Sequence, residues 1–162
     1  MTTVTRRTFL KGSLASSALV ALAANSGLLI PRRALAATWP SWPTAAFTST
    51  TASGALKALY GTDRIPMNAR IHIRAPIQAE NGAVVPIMVT TDLPGVESIG
   101  IVVDKNPTPL CTHVRLLNGA EGFYMARMKM GQTSLVHVIV RSQGKLYQAT
   151  QSIKVTVGGC GG

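Results

Sequence analysis

Apolar and polar residues alternate in short runs from residue 68 to the end of the chain. In residues 98–104, for example, Ile99, Ile101 and Val103 occupy every second position. A period of two is typical of a β-strand with one buried face. Runs of this kind predict seven strands, at residues 69–75, 84–91, 98–104, 110–117, 123–130, 134–142 and 145–157. Because turn residues and not long helices separate them, the pattern predicts an all-β fold, an antiparallel β-sandwich of immunoglobulin-like size.

The segment before the strands has a different pattern. Residues 43–47 and 55–60 each predict a short helix, and Gly61 is placed to end the second one. We therefore expect a short N-terminal helical segment on a β-sandwich domain that spans residues 37–157. The chain has only two cysteines and lacks the Cys…Trp…Cys framework of an antibody-type domain.

Composition is that of a folded domain of ordinary size. The chain has 162 residues, 46% hydrophobic and 14% charged, with a mean hydropathy of +0.25, which excludes a disordered protein. The formal net charge is +10, but five of the 16 Lys and Arg residues precede residue 37 and all six acidic residues follow it. No basic run with interleaved aromatic residues remains after residue 37, so the sequence does not predict a nucleic-acid partner.

The first 36 residues have the organisation of an export signal. Arg6 and Arg7 precede Phe9-Leu10-Lys11, an uncharged stretch covers residues 13–30, and Ala34-Leu35-Ala36 matches a signal-peptidase site. The paired arginines resemble the twin-arginine signal, which exports folded proteins to the bacterial periplasm. A transmembrane anchor is the alternative, but serines, Asn25 and Gly27 dilute the apolar stretch. We expect cleavage after Ala36 and no membrane attachment afterwards.

The C-terminal residues 158–162 read Gly-Gly-Cys-Gly-Gly. Gly158, Gly159, Gly161 and Gly162 carry no side chain, and the five residues extended reach roughly 17 Å. Cys160 has no basic neighbour in this segment, so we expect its pKa to stay near the ordinary value of about 8.5. The segment predicts a flexible swinging arm that offers a nucleophile, while another protein performs the chemistry. The alternative is a frayed terminus with an incidental cysteine.

Together these features resemble the SoxY family, the sulfur-carrier subunits of the Sox thiosulfate-oxidising system. The resemblance rests on the twin-arginine signal, the small sandwich, the tail around Cys160 and the turn at residues 103–107. It implies that Cys160 covalently holds thiosulfate-derived intermediates and that the chain forms a heterodimer with a SoxZ-like β-sandwich subunit. It also implies docking to a haem c enzyme, a manganese-dependent hydrolase and a molybdenum–haem dehydrogenase. The chain itself would be a carrier without a cofactor, and not an enzyme.

Other residues allow competing interpretations. Cys111, His113 and the methionines at 125, 128 and 130 invite a copper site, but their spacing lacks the separation such a site needs. Strand alternation places Cys111 on the face opposite Leu110, Thr112, Val114 and Leu116, and we interpret it as a structural or interface cysteine, with a redox role as the alternative. A metal pair of His72 and His137 has no support from the sequence.

Two further classes of protein share single features of this chain. Ubiquitin-like sulfur carriers also end in Gly-Gly, here Gly161 and Gly162, but their activation needs ATP, which an exported protein lacks. An exported structural or interaction sandwich, tethered by a tail disulfide, explains the fold and the signal but not the glycines on both sides of Cys160. No nucleophile elbow, phosphate-binding loop or Cys-x-x-Cys motif is present, so we assign no catalytic residue.

Overall fold

The computed structural model describes residues 42–156, in which two short helices precede eight β-strands. The helices are α1 (Thr44–Thr48) and α2 (Ala52–Tyr60). The strands are β1 (Ile71–Arg74), β2 (Gln78–Ala79), β3 (Val85–Thr91), β4 (Val96–Val103), β5 (Leu110–Arg115), β6 (Phe123–Met128), β7 (Ser134–Ser142) and β8 (Lys145–Val155). The signal residues, the cleavage site and the Gly-Gly-Cys-Gly-Gly segment lie outside the described residues.

The strands form two sheets. A three-stranded sheet has the order β1-β3-β6, and a five-stranded sheet has the order β2-β8-β7-β4-β5. All neighbouring strands are antiparallel except β2 and β8, which pair in parallel. The predicted all-β, immunoglobulin-like sandwich is confirmed.

Alternating residues from both sheets fill the space between them. Ile87 and Val89 of β3 meet Ile99 and Ile101 of β4 and Val138 of β7, and all five side chains are fully buried. Burial of this kind is the main source of stability in a sandwich, at about 25 cal/mol per Å² of apolar surface. The predicted alternation of Ile99, Ile101 and Val103 is therefore confirmed.

The two helices cover part of the outer face of the five-stranded sheet. Leu56 of α2 packs with Val102, Leu110 and Ile139, which point away from the space between the sheets. Strand β4 is consequently buried on both faces, and its residues 98–103 are all buried. A continuously apolar strand with two covered faces is the physical reason why Val102 is as buried as Ile101.

The ends of α2 follow from its sequence. The Thr51 side chain accepts a hydrogen bond from the Gly54 amide at 3.1 Å, which caps the first turn. Gly61 adopts a left-handed conformation with φ of 79° and its amide donates to the Lys57 carbonyl. The predicted end at Gly61 is confirmed, whereas the helix begins three residues before the predicted residue 55. Among residues 42–156, no helix is long and apolar enough to cross a membrane.

One strand and one face assignment differ from the sequence-based expectation. Strand β2 was not predicted, because its two residues carry no periodic pattern. A β-bulge shifts the register between β4 and β5: Ile101 pairs with Thr112 and Val102 pairs with Leu110, so Cys111 is the extra residue on β5. Leu110 therefore packs beneath the helices, while Cys111 packs against the core between the sheets. The expectation that Cys111 lies on the face opposite Val114 and Leu116 is therefore wrong, because all three pack against this core.

Candidate functional site

The last strand is held by hydrogen bonds up to the edge of the C-terminal segment. The Thr156 amide and hydroxyl both donate to the Ala79 carbonyl, at 3.1 and 3.2 Å. On the opposite side, the Val155 amide donates to the Thr133 hydroxyl at 3.0 Å. These bonds fix the backbone two residues before Gly158. Cys160 and the four glycines predicted to form the arm lie outside the described residues.

The turn between β2 and β3 packs directly against this strand end. A Cβ atom on Gly82 would overlap the Met130 carbonyl oxygen and lie 2.8 Å from a methyl group of Val155. The Met130 amide also donates to the Gly82 carbonyl at 2.7 Å. Only a residue without a side chain fits here. Gly82 therefore allows the β2–β3 turn to pack closely against both the β6–β7 connection and the end of β8.

The turn at residues 103–107 lies at the same end of the five-stranded sheet. The Asp104 amide donates to the Leu135 carbonyl, and the Lys105 amide donates to the Ser134 hydroxyl. Ser134 in turn pairs with Ile153, three residues before the last described residue. The Asp104 carboxylate lies 2.9 Å from Nε2 of His137. The segment that carries part of the family resemblance is thus placed beside the start of the C-terminal segment.

Basic side chains predominate at this end of the molecule. Lys105, Arg127, Lys129 and Lys154 are all exposed on the loops and strand ends that surround the last residue of β8. Two carboxylates lie at this end: Asp104 contacts His137, and the exposed Glu80 follows β2 beside the end of β8, so the four basic side chains outnumber them. An anion that approaches this end therefore meets a positive potential, which accelerates encounter but is screened within about 8–10 Å at physiological salt.

Cys111 lines an open groove of about 600 Å³ next to these basic residues. Its Sγ accepts from Nδ2 of Asn106 at 3.5 Å and donates to the Pro109 carbonyl at 3.5 Å. Burial raises the pKa of the Cys111 thiol, and the hydrogen bond from Asn106 opposes this only in part. The thiol is free and protonated at neutral pH, so it is a poor nucleophile.

The residues considered for a copper site are not brought together. Met128 and Met130 are buried in the core, whereas Met125 is half exposed on the outer face of the three-stranded sheet. His113 lies on the outer face of the other sheet, against Tyr60. His72 and His137 belong to different sheets. Within residues 42–156, no group of three or more His, Cys, Asp or Glu side chains is placed to hold a metal ion.

These observations define a small two-sheet sandwich protein whose last strand leads into a cysteine-containing terminus. The sequence model described as sulfur oxidation protein SoxY matches residues 56–160, and a model of the twin-arginine translocation signal matches residues 3–23. The chain belongs to the SoxY family. It is exported to the periplasm by the twin-arginine route.

The solved structure of a SoxY protein agrees with this assignment. The sulfur carrier protein SoxY from Chlorobium limicola f thiosulfatophilum is 37% identical, with a TM-score of 0.58 over 64% of this chain and 94% of that one. A superoxide reductase from Ignicoccus hospitalis is 18% identical, with a TM-score of 0.48 over 53% of this chain and 80% of that one. No match was found among the curated protein sequences.

Proposed function

We propose that this protein is a periplasmic sulfur carrier that holds thiosulfate-derived intermediates covalently on Cys160 and presents them to partner enzymes. The observation that carries the proposal is the placement of the Gly-Gly-Cys-Gly-Gly segment. It follows within two residues of a strand end fixed by hydrogen bonds from Val155 and Thr156. A thiol at residue 160 is therefore tethered to a rigid support by a chain short enough to confine it and slender enough to enter a narrow site.

The contrast between the two cysteines supports the choice of Cys160. Cys111 is half-buried, engaged by Asn106 and Pro109, and its pKa is raised by burial. Cys160 is flanked by glycines only, so no neighbouring side chain within the tail shields it. A covalent carrier needs a thiol that several enzymes can reach in turn, and the surroundings of Cys111 do not offer this.

The chemistry assigned to Cys160 balances without a cofactor in this chain. Its thiolate and thiosulfate form an S–S bond with the loss of two electrons, which the haem c enzyme accepts. Water then cleaves the terminal S–SO₃ bond in the manganese-dependent hydrolase, releasing sulfate and two protons and leaving a persulfide. The molybdenum–haem dehydrogenase oxidises the remaining sulfane sulfur. The carrier supplies the nucleophile and the reach, and the three enzymes supply the redox and hydrolytic groups.

The direct test is the intact mass of the protein after incubation with thiosulfate and the three partner enzymes. We expect the Cys160→Ser variant to fold and to be exported, but to lack every reductant-sensitive adduct and to release no electrons. Cys111→Ser is the matched control, because it removes the other thiol, and it should keep both adducts and turnover. If the adducts persisted in Cys160→Ser and disappeared in Cys111→Ser, the carrier cysteine would be Cys111 and the proposal would be wrong.

The proposal includes a SoxZ-like β-sandwich subunit as the stable partner. Several large apolar side chains on the described surface are at least half exposed, among them Phe123 and Met125. Exposed apolar side chains of this size are common at sites that a second protein covers. We expect a one-to-one complex with a signal-less sandwich chain when the protein is purified from the periplasm. Recovery as a lone monomer at micromolar concentration would contradict this part of the proposal.

A further inference from the structure

A second basic site lies on the outer face of the five-stranded sheet. Three adjacent strands place Arg115, Ser98 and Arg141 side by side, since Ser98 of β4 pairs with Arg115 on one side and Arg141 on the other. Both arginines line an open cleft of about 410 Å³ together with His113 and Tyr60. A small anion with several water molecules would fit in this volume.

Neither guanidinium has an ion-pair partner among residues 42–156. The ion pairs found there are Lys57–Asp63 and Arg70–Asp92, and the His137–Asp104 contact likewise involves neither Arg115 nor Arg141. Glu97 is the carboxylate that lines the cleft, and its Oε1 accepts from the Gly144 amide at 2.7 Å. Two guanidinium groups against one engaged carboxylate leave the lining with a positive excess.

Tyr60 holds the Arg141 side chain in place, and His113 adds a hydrogen-bond donor to the cleft. The Arg141 guanidinium lies over the ring of Tyr60, 5.7 Å from its centroid, and His113 meets the same ring edge-on. Burial, aided by Arg141 and Arg115, lowers the pKa of His113, so its imidazole is neutral at pH 7 and offers one N–H. A planar guanidinium that is fixed in this way loses little entropy when it binds an oxyanion through two hydrogen bonds.

The cleft is too far from the C-terminal segment to belong to the carrier site. Arg141 pairs with Leu146 near the start of β8, whereas the C-terminal segment follows the end of β8 at Val155. The cleft and the C-terminal segment are therefore at opposite ends of this strand. At about 3.3 Å per residue, Thr156 is roughly 30 Å from Leu146. Four extended residues span at most about 14 Å, so Cys160 cannot reach Arg141 from Thr156.

We propose that Arg115 and Arg141, with His113, form a non-covalent binding site for a small tetrahedral oxyanion such as thiosulfate or sulfate. The site goes beyond the covalent carrier function, because its residues are separate from Cys160. It binds the free ion from solution through guanidinium and imidazole N–H groups.

The test is isothermal titration calorimetry of the full mature chain with sodium thiosulfate and with sodium sulfate, using sodium chloride at equal ionic strength as the blank. We expect saturable binding of both oxyanions at one site and no saturable binding of chloride. Arg141→Gln and Arg115→Gln should each weaken affinity about tenfold or more, since each removes charged hydrogen bonds. The matched control is Arg74→Gln, an exposed arginine on β1 of the three-stranded sheet, which should leave affinity unchanged.

Several outcomes would overturn the proposal. They are the absence of saturable oxyanion binding, equal weakening by Arg74→Gln, or an effect of Arg141→Gln confined to assembly with a protein partner. Amide chemical-shift changes on thiosulfate addition should cluster at Gly100 and His113, which a merely structural role of the arginines would not produce. The Cys160→Ser variant should bind both ions like the natural chain, so failure of the carrier function and failure of this site are distinguishable.

Discussion

The buried hydroxyl group of Tyr60 packs next to the backbone of Gly100. This oxygen is the one buried side-chain N or O atom within residues 42–156 that has no hydrogen-bond partner. Burial raises the pKa of Tyr60 well above its ordinary value. A Cβ atom on Gly100 would overlap the same hydroxyl, so a glycine is required in the middle of β4, where glycine otherwise weakens a strand.

Substitutions at these two positions should be coupled. Tyr60→Phe removes an unsatisfied polar atom, so we expect the free energy of unfolding to stay the same or to rise by about 1 kcal/mol. Gly100→Ala should lower it by about 1–3 kcal/mol through overpacking. In the Tyr60→Phe background the nearest ring atom lies at 3.5 Å, an ordinary contact, so the cost of Gly100→Ala should fall to less than half. Urea denaturation of the four proteins measures the coupling, and equal losses in both backgrounds would contradict it.

At the level of the elements, the end of β8 depends on neighbours that are remote in sequence. Ala79 and Thr133 bind its last residues, and Gly82 fits between Met130 and Val155. The strand end from which the C-terminal segment starts is thus held by the β2–β3 turn and the β6–β7 connection together. Any change that separates these two turns should loosen the start of that segment.

Gly82→Ala tests this dependence. The added methyl group would overlap the Met130 carbonyl, so we expect a loss of about 1–3 kcal/mol in the free energy of unfolding and faster hydrogen exchange of the Val155 and Thr156 amides. Gly131→Ala is the matched control in the adjoining connection, because a Cβ atom there meets nothing within 4 Å. It should be neutral or slightly stabilising, and equal effects of the two substitutions would show that the close packing at Gly82 is unimportant.

Most elements could be predicted from alternation, and the exceptions have physical causes. Most of the longer strands have one more buried and one more exposed face, so their period of two is visible in the sequence, whereas β4 is buried on both faces. The two residues of β2 are a strand only because β8 and Thr156 bind them, which is a tertiary effect. The bulge on β5, where Cys111 is the extra residue, changed the faces of Leu110 and Cys111, and single-sequence alternation carries no sign of such an insertion. The helical cover on the outer face of β4 was not predicted, because the interpretation of residues 98–104 as an alternating strand assigned it only one buried face.

On the scale of the whole molecule, basic residues are concentrated at two places: around the end of β8, where the C-terminal segment starts, and in the cleft of Arg115 and Arg141. The tail around Cys160 and its glycines could be singled out from sequence, because such a composition serves neither a helix nor a core. The basic residues near the start of this tail could not be predicted from sequence, because Lys105, Lys129 and Lys154 come from three separate segments that meet only in the folded sandwich. The cleft of Arg115 and Arg141 was missed for the same reason: residues 26 apart become neighbours only through β4.

Export is the property in which the whole folded molecule takes part, because the twin-arginine route carries proteins that have already folded. Arg6-Arg7→Lys-Lys should keep the precursor in the cytoplasm, since the signal requires paired guanidinium groups ahead of Phe9. The matched control is Arg32-Arg33→Lys-Lys, a second arginine pair in the same N-terminal segment that lies beside the cleavage site, and it should leave export unchanged. Cell fractionation and N-terminal sequencing of the periplasmic protein provide the measurement, with Ala37 expected as the first residue. Normal periplasmic accumulation of the Arg6-Arg7 variant would show that another route exports the protein.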